Sequence, residues 1–227
     1  MVNVQCSMVK MRNNVILLLL LVSQSMVGQN ADLPTVSTPT DGQQQENLHG
    51  SSLNADFAQA VSRFRNCVQT TANVTRKQHK PSLTRDIMTT GGAFIMRPDM
   101  VSISTNEGQD RLVMQGTKLT MTVDGREHTT DSKRNPQYTT FQKVVTSIIN
   151  GDTTDIANLP DVTISKTGSS LSITIAPTTD KARKQKKMLF SRFVLVLDIQ
   201  TSVVKLLRLV ELDGGFIDYE FSRFIFE

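Results

Sequence analysis

Four apolar residues near the start of the main domain recur at helical spacing. Leu53, Phe57, Val61 and Phe64 are separated by four, four and three residues, so they share one face of a helix. Asp56 falls in the first turn, where a carboxylate is favoured. The pattern predicts an amphipathic helix of about three turns. Such a helix either caps a sheet or covers a ligand site, and the spacing fits both.

A second amphipathic helix is predicted in the middle of the chain. Thr139 or Thr140 can cap its start and Gly151 can cap its end. Its apolar face consists of Tyr138, Phe141, Val144, Val145, Ile148 and Ile149.

Most of the remaining chain alternates with a period near two and is rich in β-branched residues, which is typical of strands. Pro and Gly lie at short intervals and favour tight reversals, so the strands should form antiparallel hairpins. The predicted strands are Val68–His79, Asp86–Arg97, Met100–Thr105, Asp110–Gln115, Lys118–Asp124, Val162–Lys166, Leu171–Ala176, Leu189–Ile199, Val203–Leu212 and Phe216–Phe226. The predicted fold is therefore mainly β (α+β).

The late strands carry apolar residues on both faces. Met188–Leu197 is almost continuously apolar, and in the next strand Val204 and Leu206 oppose Val203 and Leu207. A sheet with one solvated face would alternate more cleanly, so both faces should be covered. A sheet that curls towards closure under two helices would enclose a cavity. An ordinary helix-on-sheet core without a cavity also accounts for the pattern.

The first 28 residues have the features of an export signal. Lys10 and Arg12 precede the apolar run Val15–Val22, and small residues follow up to Gly28. Eight apolar residues are too few for a permanent membrane span, which needs about 20. We therefore expect a signal peptide at 1–28 and an exported protein that is soluble after its removal.

Residues 29–52 are rich in Gln, Thr, Ser, Asn and Asp and predict a flexible tether, which leaves 53–227 as the main domain. Without the two basic residues of the signal the chain has 23 basic and 21 acidic residues, so no nucleic-acid partner is expected. A basic run at 181–187 is either a solvated hairpin tip or a surface for anionic headgroups or an acidic partner.

The sequence offers no convergent catalytic or metal-binding chemistry. The histidines are His49, in the tether, and His79 and His128, beside predicted turns. Cys67 is the only cysteine after the signal and has no histidine nearby in the sequence. No metal-ligand spacing or phosphate-binding loop is present. We expect a protein without enzymatic activity, metal or cofactor.

The segment Gly91–Pro98, Gly-Gly-Ala-Phe-Ile-Met-Arg-Pro, resembles a strand of the LolA-like outer-membrane lipoprotein carriers. The stretch Gln115–Leu119 resembles the hairpin that follows in that family. The order of elements also agrees: signal peptide, amphipathic helix, long strands, Arg-Pro strand, helical insertion and closing strands. The resemblance covers about residues 55 to 226.

The resemblance implies an unclosed antiparallel β-barrel, or half-barrel, with a lid of amphipathic helices. It implies a periplasmic carrier that takes lipoprotein acyl chains from an inner-membrane donor complex to an outer-membrane acceptor, as a monomer. Arg97 would be the latch that bonds the lid in the closed state. The expected lid and lipid-binding residues are Phe57, Val61, Phe64, Phe94, Phe141, Val145 and Ile148. The same fold could carry another apolar lipid, or serve as an exported interaction or sensor domain.

Overall fold

A computed structural model describes residues 50–123, 125–152, 156–177 and 190–227, which belong to one compact unit from Glu46 to Glu227. The predicted signal peptide, the tether up to residue 49 and the basic run at 181–187 lie outside the described residues. The helices are α1 (Gly50–Ala60) and α2 (Pro136–Asn150). The strands are β1 (Thr70–His79), β2 (Ile87–Arg97), β3 (Met100–Thr105), β4 (Asp110–Gln115), β5 (Lys118–Val123), β6 (Arg126–Asp131), β7 (Val162–Thr167), β8 (Ser170–Ile175), β9 (Phe190–Asp198), β10 (Val203–Glu211) and β11 (Phe216–Phe226).

The strands form one antiparallel sheet that does not close. Its order is β6-β5-β4-β3-β2-β1-β11-β10-β9-β8-β7. The first and last strands pair with each other in the middle of the sheet, where Val74 lies opposite Phe221. The edges, β6 and β7, are not paired with each other. The expected fold class, an open antiparallel half-barrel with two helices, is confirmed.

Helix α2 joins the two edge strands in the sequence and bonds to both halves of the sheet. The Gln137 side chain donates to the backbone oxygen of Ser191 in β9, at 3.2 Å. The Gln142 side chain donates to the backbone oxygen of Gly116, in the β4–β5 turn. The helix therefore bridges the opening of the half-barrel.

The ends of α2 follow ordinary capping chemistry, but its start was predicted too late. Asn135, and not Thr139 or Thr140, is the N-cap: its side-chain oxygen accepts from the backbone N–H of Tyr138, at 3.2 Å. A proline occupies the first helical turn, where no intrahelical N–H bond is lost. Gly151 ends the helix with a left-handed φ of 60°, as expected.

Helix α1 is shifted from its predicted position. It begins at Gly50, inside the segment predicted as tether, and ends at Ala60. The chain continues in turns up to Asn66, so Val61 and Phe64 follow the helix instead of extending it. Their side chains are nevertheless buried, because the turns keep nearly helical spacing, with the Val61 N–H bonded to the Phe57 carbonyl at 3.0 Å.

Two features of the sheet differ from the prediction. Strand β6 was not predicted, because it is an edge strand of mostly polar, exposed residues and lacks apolar alternation. In β10 the register shifts between Val204 and Leu206. This bulge puts Val204 and Leu207 on the interior together, so the expected placement of these two residues on opposite faces was wrong.

Candidate functional site

A wholly apolar cavity of about 50 Å³ lies between α2 and the sheet. Residues of the strands form its floor and three residues of α2 form its roof. The lining consists of Phe94, Met96, Val101, Ile103, Leu112, Met114, Leu119, Phe141, Val145, Ile148, Leu195, Val204, Leu207 and Phe221.

Strand register brings the floor residues together from distant parts of the chain. Phe94 lies opposite Ile103, and Ile103 lies opposite Leu112, so their side chains form a row across β2, β3 and β4. The central β1–β11 pairing adds Phe221, whose ring centroid is 4.9 Å from that of Phe94. Long-range strand pairing therefore completes the floor, which no local pattern could show.

The roof is one face of α2. Phe141, Val145 and Ile148 are four and three residues apart, so they project from the same side of the helix. The Phe141 ring stacks on Phe193 of β9 with centroids 4.5 Å apart. The helix is thus held over the sheet mainly by apolar contact.

Four of the seven predicted lipid-binding residues line this cavity: Phe94, Phe141, Val145 and Ile148. The other three, Phe57, Val61 and Phe64, are buried in the core but do not line it. The sequence reasoning missed the remaining strand residues of the lining. Their signal was period-two alternation, which could not show which strands would become neighbours.

The segment that contains α1 forms polar contacts with the β7–β10 half of the sheet and with the end of α2. Lys166 of β7 forms an ion pair with Asp56, at 2.8 Å. The Ser202 hydroxyl, between β9 and β10, donates to the backbone oxygen of Gln59 at 2.7 Å. Arg65 donates to the backbone oxygen of Gly151 at 3.1 Å. This segment supports one end of α2 instead of covering the cavity itself.

The expected latch residue lies on the outside of the sheet. Arg97 is exposed, and its Nε donates to Oε1 of Gln69, just before β1, at 2.8 Å. This bond connects β2 to the segment before β1 and does not reach α1 or α2. A latch role for Arg97 stays a prediction.

The cavity volume corresponds to a closed arrangement. An apolar cavity that accepts benzene has a volume of about 150 Å³. At about 50 Å³ the site holds no acyl chain unless α2 moves away from the sheet. Because the contacts across the cavity are apolar, an acyl chain could take their place without leaving polar groups unpaired.

One end of the same concave face is polar. Arg76 and Gln78 follow Val74 on the inward side of β1, and Thr105, Asp110 and Tyr219 are also buried. Burial raises the pKa of Tyr219, an effect that the Arg76 charge opposes and the nearby Asp110 reinforces. The sequence analysis did not single out any of these residues.

The described residues contain no group of three histidine, cysteine, aspartate or glutamate side chains placed to hold a metal ion. None of the described helices is long and apolar enough to cross a membrane.

No protein-family model matches the sequence, and no curated protein matches it either. Several solved structures are similar to the chain. Lipoprotein LppX of Mycobacterium tuberculosis is 12% identical over 77% of this chain and 96% of its own, with a TM-score of 0.34. A LolA superfamily protein from Nitrosomonas europaea is 7% identical over 77% of this chain and 93% of its own, with a TM-score of 0.34. The MucA/MucB complex of Pseudomonas aeruginosa contains a chain 12% identical over 77% of this chain and 57% of its own, with a TM-score of 0.36. These likenesses concern the fold alone.

Proposed function

We propose that this chain is a carrier, without enzymatic activity, that shelters acyl chains between α2 and the concave face of its sheet. The observation that carries the proposal is the cavity, in which every lining side chain is apolar and the roof is a single helix. Together with the resemblance in the Arg-Pro strand, it supports transport of lipoprotein acyl chains from the inner to the outer membrane. The carrier would act in the periplasm, as a monomer that meets a donor complex and an acceptor.

The need for such a carrier follows from the hydrophobic effect. Release of a 16-carbon chain into water is opposed by roughly 13 kcal/mol, at about 0.8 kcal/mol per CH₂. Spontaneous exchange between two membranes is therefore slow. A protein that replaces water around the chain with apolar side chains removes most of this barrier.

The closed arrangement of α2 explains how cargo could also be released. In the unloaded protein, Phe141, Val145 and Ile148 pack against the floor of the cavity. An acyl chain must displace these contacts, so the closed state competes with the loaded state and weakens net binding. Moderate affinity allows an acceptor with a stronger site to take the cargo.

A latch at Arg97 would shift this balance towards the closed state. Removal of such a latch is expected to leave loading intact and to impair delivery, because the closed state would compete less with the loaded state. Arg97→Leu should therefore load an acyl probe as well as the wild type does but pass less of it to acceptor vesicles. Equal delivery by the variant and the wild type would contradict the latch role.

The experiment that tests the carrier proposal is native mass spectrometry of the full chain purified from its own cell envelope, followed by lipid extraction. Co-purified acylated protein or lipid is the expected result and would identify the cargo. In parallel, a fluorescent fatty acid is titrated into delipidated protein. Protein that co-purifies with nothing and takes up no acyl probe would contradict the proposal.

A second candidate is an exported interaction or sensor domain in which the same face is an ordinary packed core. The observation in its favour is the small size of the cavity, about 50 Å³. Carriage of an apolar lipid other than a lipoprotein acyl chain is a variant of the first proposal. Bound lipid without attached protein would favour carriage of another lipid, and failure to take up any lipid would favour the interaction domain.

A further inference from the structure

The interior of the half-barrel changes from apolar to polar along β1. Val74 lies opposite Phe221, a residue of the cavity, and Arg76, two residues further on, lies opposite Tyr219 on the same face. Tyr219 in turn lies opposite Leu207, another cavity residue. The buried guanidinium of Arg76 is therefore the next layer beyond the apolar cavity, not a group on the outer surface.

Two buried donors, Arg76 in this layer and Thr105 beside the adjacent row of Val74, have no partner for one polar atom among the described residues. Arg76 is 3% exposed; its Nη2 donates to Oε1 of Gln78 at 2.8 Å, but its Nε has no acceptor. Thr105 is 2% exposed, and its hydroxyl also has no partner. Buried donors are nearly always satisfied in folded proteins, because an unmade bond costs the full desolvation of the group. Two such donors in adjacent rows of the same interior call for an explanation.

A glycine in β2 lets Thr105 of β3 approach β1, next to the row of Val74. Gly92 lies opposite Val74, and a Cβ built on it would be 2.7 Å from Cγ2 of Thr105 and 3.1 Å from Cβ of Val74. Without a side chain at position 92, Thr105 of β3 packs towards β1. Thr105 also lies opposite Asp110, which is buried on the same interior and, like Arg76, acts electrostatically on Tyr219.

We propose that Arg76 and Thr105 bind the oxygen-bearing head of an acyl ligand, a carboxylate or an ester carbonyl, whose chain lies in the apolar cavity. This inference rests on the proposed carrier function and names the polar part of its ligand. Carboxylate and carbonyl oxygens accept hydrogen bonds, which is what a guanidinium Nε–H and a hydroxyl require. The head would lie at the polar end of the concave face, where Arg76 and Thr105 each have a donor without an acceptor.

The surroundings of this layer suit an esterified head as well as a free acid. An open pocket of about 610 Å³ begins at Gln78, the hydrogen-bond partner of Arg76, and is bordered by Arg126, His128 and Glu211. A group attached through an ester could leave the barrel through this pocket while its chain stays in the apolar cavity.

The test compares three ligands of equal chain length: dodecanoate, methyl dodecanoate and dodecane. Each displaces a fluorescent acyl probe from the full chain and from three variants, Arg76→Met, Thr105→Val and Thr70→Val. Thr70→Val is the matched control, because Thr70 is 1% exposed with an unpartnered hydroxyl but lies beside Met96 and Phe226, away from Arg76. Circular dichroism and thermal unfolding establish that each variant is folded.

We expect the wild type to bind one or both oxygen-bearing ligands at least about tenfold more tightly than dodecane. This is the gain in affinity that a hydrogen bond to a charged group typically gives. Arg76→Met and Thr105→Val should remove most of this preference without changing dodecane binding, and Thr70→Val should preserve it. A preference for dodecanoate alone identifies a carboxylate, and equal preference identifies the carbonyl that both ligands share. If Arg76→Met does not fold, Thr105→Val still decides the question.

Equal binding of all three ligands by the wild type, or a preference that survives in both variants, would overturn the head-group site and leave the carrier function standing. Failure of the folded wild type to bind any of the three would overturn the carrier function, and this inference with it.

Discussion

Substitutions at two neighbouring isoleucines of α2 can distinguish the effect of the cavity on ligand binding from its effect on the stability of the core. Ile148 lines the cavity and is 2% exposed, whereas Ile149 is 8% exposed and packs in the core without lining it. They belong to the same helical turn and have the same chemistry. Ile148→Ala and Ile149→Ala are therefore a matched pair in which only the first enlarges the space for a ligand.

Both substitutions should destabilise the protein by about 2–5 kcal/mol, the usual cost of truncating a buried isoleucine to alanine. Their effects on binding should differ. Ile148→Ala removes three carbons that fill the closed cavity, and an acyl chain can occupy their place. At about 0.8 kcal/mol per carbon the gain is at most about 2.4 kcal/mol, or roughly 60-fold in Kd. Ile149→Ala should leave Kd within about twofold of the wild type.

The assay is titration of a fluorescent fatty acid into delipidated protein at 20 °C, with thermal unfolding measured on the same samples. Both variants should melt at lower temperature, by about 2–4 °C for each kcal/mol lost. Added fatty acid should restore more of the melting temperature in Ile148→Ala than in Ile149→Ala. Restoration by ligand would link the regained stability to the enlarged cavity.

Weaker binding by Ile148→Ala than by the wild type would refute the reasoning. It would mean that Ile148 contacts the bound chain more than it competes with it. Equal strengthening by both variants would also refute it, since general loosening of α2, and not cavity volume, would then control uptake.

Four further substitutions test other parts of the structure. A hydrogen bond from Lys205, together with one from a backbone N–H, lowers the pKa of Asp198 from 3.8 to about 2. The stabilisation that the ionised carboxylate provides is therefore present above pH 4 and lost as the pH falls towards 2. In urea unfolding, the stability of Asp198→Asn should fall less steeply than that of the wild type over this pH range. Gly92→Ala should destabilise the protein by about 1–3 kcal/mol in urea unfolding, because the new Cβ would lie 2.6 Å from a backbone oxygen of β3, and an unchanged midpoint would contradict this packing. The buried hydroxyl of Tyr138 has no partner in the described chain, so Tyr138→Phe should keep or raise the melting temperature, whereas Tyr219→Phe should lower it, because its hydroxyl lies beside the Arg76 charge.

Local periodicity predicted the roof of the cavity better than its floor. Phe141, Val145 and Ile148 are within eight residues of one another, so their common face follows from helical spacing alone. The floor depends on strand pairing between the two ends of the domain, as between Val74 and Phe221. A period-two pattern fixes which residues of one strand share a face but not which strands become neighbours.

Irregular backbone explains the errors within strands. In β10 the shift after Val204 moves Leu207 to the face that alternation assigns to Leu206. For Arg76, two sequence signals conflict. Alternation with Ala72 and Val74 predicts an inward position, whereas its charge predicts an exposed one. Charged side chains are ordinarily exposed, yet the fold buries this guanidinium among other polar groups. Buried charge of this kind is where reasoning from residue type fails most easily.

The place of α2 in the topology bears on whether loading can be reversible. The helix lies between β6 and β7 in the sequence, and these strands are the two unpaired edges of the sheet. Its displacement therefore breaks no strand pairing. The described polar bonds from α2 to the strands and their turns are those of Gln137 and Gln142, and both donors are side chains that water can satisfy. In the proposed carrier, opening would therefore exchange helix–sheet apolar contacts for acyl–protein contacts of the same kind, which favours a small free-energy difference between the closed and loaded states.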